Sequence, residues 1–320
     1  MRLNYRHAFH AGSFADVVKH AVMVRILLHL RAKPAAFRVI DTHAGAGLYD
    51  LAGPEANRSP EWRAGIARLL AAPLGDSVRE LLAPYLEVIN GFNAPNPNAP
   101  NSNAPNADAE SSSAPSSNAR SSNAQSPIVR YPGSPAIVCA FLRAQDRLIA
   151  CEREPTAAQA LTRNLSRDRR AKAIAIDGWI ALNAYVPPPE RRGLVLVDPP
   201  FEDGNDFTRL ASALAGAHRK WPGGTYLLWY PIKGRNAPDA LVRDLRRLSI
   251  PKILRAELCV GETPLEGPLG GCGLMIVNPP WQLANELAVI LPGLAAALGP
   301  GGALGPGSAG HRLDWIAREK

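Results

Sequence analysis

The chain has 320 residues, 46% of them hydrophobic, enough for one large α/β domain with an insertion or two small domains. Its net charge of +8 suits a phosphate-rich partner. Four cysteines without CxxC or other ligand spacing argue against a disulfide scaffold or a zinc site and read as reduced, mostly buried thiols of a cytoplasmic protein. The N-terminus lacks the apolar region of a signal peptide. The longest apolar stretch, Leu287 to Leu298, is interrupted by Pro292 and too short to span a bilayer.

In chain order, Phe14 to Leu30 reads as an amphipathic helix with Val17, Val18, Ala21, Val24 and Leu28 on one face. Phe37 to Asp41 is a short strand that runs into the glycine-bearing turn Thr42-His-Ala-Gly-Ala-Gly47. From Glu55 to Phe92 the apolar period is helical. Composition then collapses: Asn93 to Pro127 is almost wholly Asn, Ala, Pro and Ser, cannot offset chain entropy by burial, and is expected to be a disordered loop. Strands and helices alternate from there. Strands are expected at Arg147–Glu152, Ala171–Asp177, Leu194–Asp198, Thr225–Pro231, Lys252–Val260 and Gly273–Asn278, with helices from Pro155, from Gly178, near Phe207, near Pro238 and up to Leu298. Such alternation specifies a mostly parallel, doubly wound α/β sheet. The remainder after Gly299 reads as a Gly-rich tail with a short segment around Trp315.

The most informative motif is Asp198-Pro-Pro-Phe201, which follows the buried-strand run Gly193-Leu-Val-Leu-Val. Taken alone it is either a strand-ending turn or a clamp for an exocyclic amino group. In the second reading Asp198 and the Pro199 carbonyl accept from an –NH2 and Phe201 stacks on the ring, while the prolines keep the turn stiff and free of competing N–H groups. Position favours the clamp. The glycine turn at Gly45 and Gly47, an acid at Glu152 suited to ribose hydroxyls, an acid followed by glycine at Asp177-Gly178, and Asp198 fall on four successive strand ends, where open α/β sheets bind ligands. That order is the arrangement of class I S-adenosylmethionine-dependent methyltransferases acting on amino groups. A near-copy, Asn278-Pro-Pro-Trp281, follows the last strand, beyond where the catalytic motif belongs, and reads as a structural turn. The arginine runs Ser166–Lys172, Arg191-Arg192, His218–Lys220 and Arg243–Arg247 are either solvated helix faces or phosphate contacts.

Together with Asn4-Tyr-Arg-His-Ala-Phe-His-Ala-Gly12, Asp16-Val-Val-Lys-His20, Tyr131-Pro-Gly-Ser-Pro135 and Leu228-Trp-Tyr-Pro231, these motifs resemble the bacterial 23S ribosomal RNA adenine-N6 methyltransferase J family. The similarity covers nearly the whole chain apart from the Asn/Pro tract and the tail. Where that family's catalytic motif often ends in Tyr, this chain has Phe201. The resemblance implies a Rossmann-like class I methyltransferase domain formed by 1–48 and 128–298, an inserted helical subdomain at 49–92, a loop at 93–127 and a tail at 299–320. It implies S-adenosyl-L-methionine as cofactor, with Lys19, His20, His43, Gly45, Gly47, Ser134, Glu152, Asp177 and Gly178 around it. Asp198 would be catalytic with Pro199 and Phe201, and Tyr5 would touch the substrate, 23S ribosomal RNA, free or in an early assembly intermediate. A monomer without metal or membrane attachment is expected. Methylation of DNA adenine or of protein glutamine shares the same strand ends and stays open on the motifs alone, as do a nicotinamide-dependent oxidoreductase and a non-methylating RNA-binding protein.

Overall fold

A computed structural model describes residues 7–94, 128–261, 269–299 and 310–318. Tyr5 and almost all of the Asn/Ala/Pro/Ser tract lie outside these residues. After a short 3-10 turn at His7–Phe9 come α1 (Phe14–Arg31), β1 (Arg38–Asp41) and β2 (Leu48–Asp50). The helical region holds α2 (Pro54–Arg58), α3 (Glu61–Ala64), α4 (Ile66–Ala71) and α5 (Asp76–Asn93). Then follow β3 (Arg130–Pro132), α6 (Ser134–Phe141), β4 (Arg147–Glu152), α7 (Pro155–Leu165), β5 (Ala171–Ala175), α8 (Gly178–Tyr185) and β6 (Gly193–Val197). The chain continues through α9 (Asp206–Lys220), β7 (Thr225–Ile232), α10 (Asn236–Arg247), β8 (Ile253–Cys259), β9 (Gly271–Val277), α11 (Leu283–Leu298) and β10 (Gly310–Ala317).

Eight of these strands form one sheet in the order β10-β8-β9-β7-β6-β1-β4-β5. The pairings from β7 through β6, β1 and β4 to β5 are parallel, and β9 runs antiparallel between β7 and β8. With strands of one direction connected through helices, this is the Rossmann-like class I methyltransferase sheet. Alternating side chains feed two cores, as the pleat requires. Val39, Leu194, Leu196, Leu227 and Ile276 face α1, α5, α6, α7 and α11, whereas Ile40, Val195, Val197, Leu228 and Val277 face α8, α9 and α10. Both faces being covered explains why β6 is buried at every position and reads as an unbroken apolar run.

Two features differ from the expectations. Residues 310–317 form β10, an antiparallel edge strand on β8, so this part of the tail belongs to the sheet. Its anchor is the fully buried Arg255, whose Nε and Nη2 each donate at 2.8 Å to Asp314. Apart from the main sheet, β2 and β3 form a small antiparallel ladder. Asn93 closes α5 there: its Oδ1 accepts from the Val129 and Arg130 amides at 2.8 and 2.9 Å, and its Nδ2 donates to the Arg130 carbonyl. The low-complexity tract therefore leaves and rejoins the fold at one point. No helix of the described residues is long and apolar enough to cross a membrane.

Arg255→Ala would remove both hydrogen bonds to Asp314 and unfasten β10, while Glu257 keeps Arg235 and Tyr230. We expect a loss of about 2 kcal/mol, the scale of charged hydrogen bonds to a carboxylate that is itself partly exposed, read as a drop in urea midpoint. An unchanged midpoint would mean that β10 contributes nothing to the fold.

Candidate active site

The carboxyl ends of β6, β1, β4 and β5 lie side by side, bringing the four sequence motifs to one edge. Gly45 has φ +60°, and a Cβ there would fall 2.1 Å from the Tyr49 hydroxyl, so the turn after β1 requires glycine. Its N–H donates to Glu152 Oε2 at 2.8 Å, joining the first turn to the end of β4. At Gly178 a Cβ would sit 2.3 Å from the Thr42 carbonyl oxygen, which presses the start of α8 against the same turn. Between these elements opens a cavity of about 870 Å³ whose walls include His43, Gly45, Glu152, Gly178, Trp179 and Asp198.

Asp198 reaches the cavity from the end of β6, and Lys19 of α1 donates to its Oδ2. Lys19 also donates to Asp16 Oδ1 at 2.8 Å. Asp16 in turn accepts from the Gly12 amide at 2.9 Å and faces His7 Nε2 at 3.2 Å. Burial works against charge in this cluster, yet the ions outweigh it. Asp16 is held well below the usual carboxylate range by Lys19 and His7, and Lys19 well above the usual lysine range by Asp16 and Asp198. The ammonium thus stays charged with a carboxylate on either side. Asp198 Oδ1 takes no hydrogen bond among the described residues and is open to the cavity's contents.

Some predicted residues back the wall instead of lining it. His20 is fully buried, its Nδ1 is 2.8 Å from the Tyr131 hydroxyl, and burial lowers its pKa to about 3. Ser134 donates to Asp41 Oδ2 at 2.7 Å. Gly47, at φ +78°, lies in the turn but is not part of the lining. Asp177 is the N-cap of α8, its Oδ1 accepting from the Trp179 and Ile180 amides at 2.9 and 3.3 Å, while Arg153 approaches Oδ2 at 3.2 Å. His43 is neutral, its pKa brought by burial to about 4, and its ring meets Trp179 edge-on at 5.4 Å. Glu152 is committed to backbone amides through both oxygens. Two buried atoms in this wall have no partner among the described residues: His20 Nε2 and Asp41 Oδ1.

Beyond Asp198, Pro199 is buried and Pro200 lines the cavity. Phe201 adopts φ +51°, a left-handed conformation that costs a non-glycine residue about 1 kcal/mol or more. Its ring packs against Phe207 at 4.8 Å and edge-on against Trp229 at 5.7 Å. The near-copy is placed quite differently. Because β9 is antiparallel, Asn278 lies at the amino ends of the parallel strands, and its Nδ2 donates to the Pro222 and Gly224 carbonyls at 2.6 and 2.8 Å. Sequence reasoning missed Asp16, the hub behind Lys19, and the stack of Arg209 on Trp179 at 4.8 Å over the cavity. Asp16 stood in the motif Asp16-Val-Val-Lys-His20 but was given no role. Among the described residues no three His, Cys, Asp or Glu side chains group as a metal site.

The family described as ribosomal RNA large subunit methyltransferase D, RlmJ, matches residues 34–109 and 117–317. The chain belongs to this family. It is 35% identical to the ribosomal RNA large subunit methyltransferase J of Escherichia coli K12, across 99% of this chain and all of that one, and 32% identical to the Haemophilus influenzae protein of the same name, with the same coverage. The crystal structure of a Legionella pneumophila protein superposes with a TM-score of 0.76 at 30% identity, covering 96% of this chain and 98% of that chain. Family membership extends through β10, in keeping with its place in the sheet.

Burial raises the Asp41 carboxyl to about 7 despite the Ser134 hydroxyl. The unfolded side chain loses its proton near 3.8, so between these values the folded state holds the extra proton and stability declines as pH rises. Asp41→Asn cannot ionise and keeps an acceptor for Ser134. Relative to wild type it should gain up to about 1.4 kcal/mol per pH unit across that window, measured by urea titration at several pH values. A difference independent of pH would show that Asp41 is ionised throughout.

Proposed function

We propose that the chain transfers a methyl group from S-adenosyl-L-methionine to N6 of one adenine in 23S ribosomal RNA, as a cytoplasmic enzyme of ribosome biogenesis. The observation that carries this reading is Asp198 itself: a carboxylate pinned by Lys19, with one oxygen open to a large cavity at the carboxyl end of β6. The residues present fit the cofactor. Its sulfonium and amino group suit a cavity rich in carboxylates, and behind the wall the buried His20 Nε2 and Asp41 Oδ1 have no partner among the described residues. His43, Gly45, Glu152 and Gly178 would hold it directly, with Lys19, His20, Gly47, Ser134 and Asp177 supporting them. When bound, S-adenosyl-L-methionine supplies an electrophilic methyl group.

The chain's own task is to make a poor nucleophile competent. The lone pair of adenine N6 is delocalised into its ring. Acceptance of the N6–H groups by Asp198 Oδ1 and the Pro199 carbonyl draws the nitrogen towards tetrahedral geometry and aims its lone pair into the cavity. Lys19 fixes the carboxylate's rotation. Because the nitrogen becomes acidic only once methylated, Asp198 need not be a strong base, and positioning with electrostatics carries the rate. Phe201, braced by Phe207 and Trp229, and Tyr5 would stack on an adenine turned out of its RNA context.

Asp198→Ala should lower turnover by at least about 100-fold, the scale of losing a charged hydrogen bond together with alignment, while cofactor affinity measured by calorimetry stays near wild type. Near-normal turnover would remove Asp198 from the mechanism. With labelled S-adenosyl-L-methionine, unmethylated ribosomal RNA should accept the label and duplex DNA and protein should not. Transfer to DNA adenine or to glutamine would assign the same site to a different substrate.

A further inference from the structure

The cavity poses an electrostatic problem for an RNA enzyme, because its lining carries eight carboxyl side chains and only two arginines. That suits a cationic cofactor and repels phosphates. The basic residues lie elsewhere. In a sheet of this topology every helix returns to its next parallel strand at the amino edge, opposite the cavity. All four arginine runs fall on such returns: α7 to β5, α8 to β6, the end of α9 and the end of α10. Lys and Arg are favoured at helix C-termini by the helix dipole alone, so position is not sufficient evidence.

Pairing separates the structural cations from the rest. At this edge Asp146 is taken by Arg143, Asp168 by Arg170, Glu190 by Arg38 and Asp244 by Arg247. Arg167, Arg169, Lys172, Arg191, Arg219 and Arg246 are exposed and have no ion pair or side-chain hydrogen bond among the described residues. Arg169 and Lys172 flank a groove of about 480 Å³ at the start of edge strand β5, with Arg38, Arg147 and Tyr185 on its walls. A second observation comes from the near-copy motif. Asn278 ties its turn to the loop that follows Arg219 and Lys220, and three residues on, Trp281 is 82% exposed. A bare indole on the same edge of the sheet as unpaired cations is a composition that can grip RNA, with bases stacked on the ring and phosphates on the charges.

We propose that the amino edge of the sheet is a second RNA-contacting surface, where Trp281 stacks on an unpaired base and the free cations hold the backbone of RNA beyond the segment that carries the target adenine. This rests on the RNA methyltransferase reading. The cavity would then select the adenine, and the far edge would supply the attraction that the cavity's own charge denies.

The test compares Trp281→Ala and the triple variant R169E/K172E/R219E with wild type on two RNAs, a short hairpin around the target adenine and a long 23S fragment. All four positions are exposed, and circular dichroism with thermal melts confirms folding. For the long RNA we expect Kd and KM to rise about ten-fold or more in each variant with kcat unchanged. The salt slope of the triple variant should flatten by about 0.7–0.9 for each phosphate that its side chains cease to neutralise. For the hairpin, both constants should stay within about two-fold of wild type, the amino edge being out of its reach. Unchanged affinity for the long RNA, or equal weakening towards both RNAs, would overturn the proposal, as would binding by this edge of anionic vesicles in preference to RNA. Failure of the methyltransferase reading is distinguishable, because it would abolish label transfer by the wild type while direct binding still reports on the edge.

Discussion

The chain of charges Asp16–Lys19–Asp198 is the constraint on which the site depends. It joins the first turns of α1 to the end of β6 across 179 residues of sequence, through side chains that are almost wholly removed from water. An isolated buried ammonium would shed its proton, and an isolated carboxylate would take one up. Packed together, Asp16 and Lys19 each keep their charge. The same cluster gathers the segment before α1, since Asp16 also receives the Gly12 amide and His7. The position of the Asp198 carboxylate is thereby set by the docking of α1 rather than by its own strand alone.

Strand direction organises the rest. Parallel strands deliver all their carboxyl ends to one edge, so the glycine turn, Glu152, Asp177 and Asp198 converge although long insertions separate them in sequence. The same rule collects the helix-to-strand returns, and with them the arginines, at the opposite edge. Acidic cavity and basic far edge are two consequences of one topology. A net charge of +8 therefore says little about the sign of the field at the site.

Much of this was legible in the sequence. Strand–helix alternation fixed the sheet class, and Arg147–Glu152 was read to the residue because both faces of β4 are buried and the run is bounded by polar turns. The last strand was not legible. Gly310 to Ala317 mixes His, Arg, Asp and Trp in a half-exposed edge position, and what holds it is Arg255, a residue whose burial no local pattern announces. Nor could the sequence say which predicted cofactor residues face the cavity. His20, Ser134 and Asp177 have the right chemistry for ligand contact, but their sites also contain Tyr131, Asp41 and the amides of α8, and those partners are supplied by tertiary packing.

The two Pro-Pro turns show how far a motif can carry and where it stops. Asp198-Pro-Pro-Phe201 and Asn278-Pro-Pro-Trp281 share a polar acceptor, two stiff prolines and an aromatic ring, and each contains a residue with φ near +50°. In the first that residue is Phe201, whose ring is folded back against Phe207 and Trp229 while Asp198 is left open to the cavity. In the second it is Asn278, whose amide is spent on the backbone while Trp281 is left in solvent. The same grammar yields a bare carboxylate at one edge and a bare indole at the other. Strand direction decides which: β6 ends at the cavity, and antiparallel β9 ends where the arginines collect.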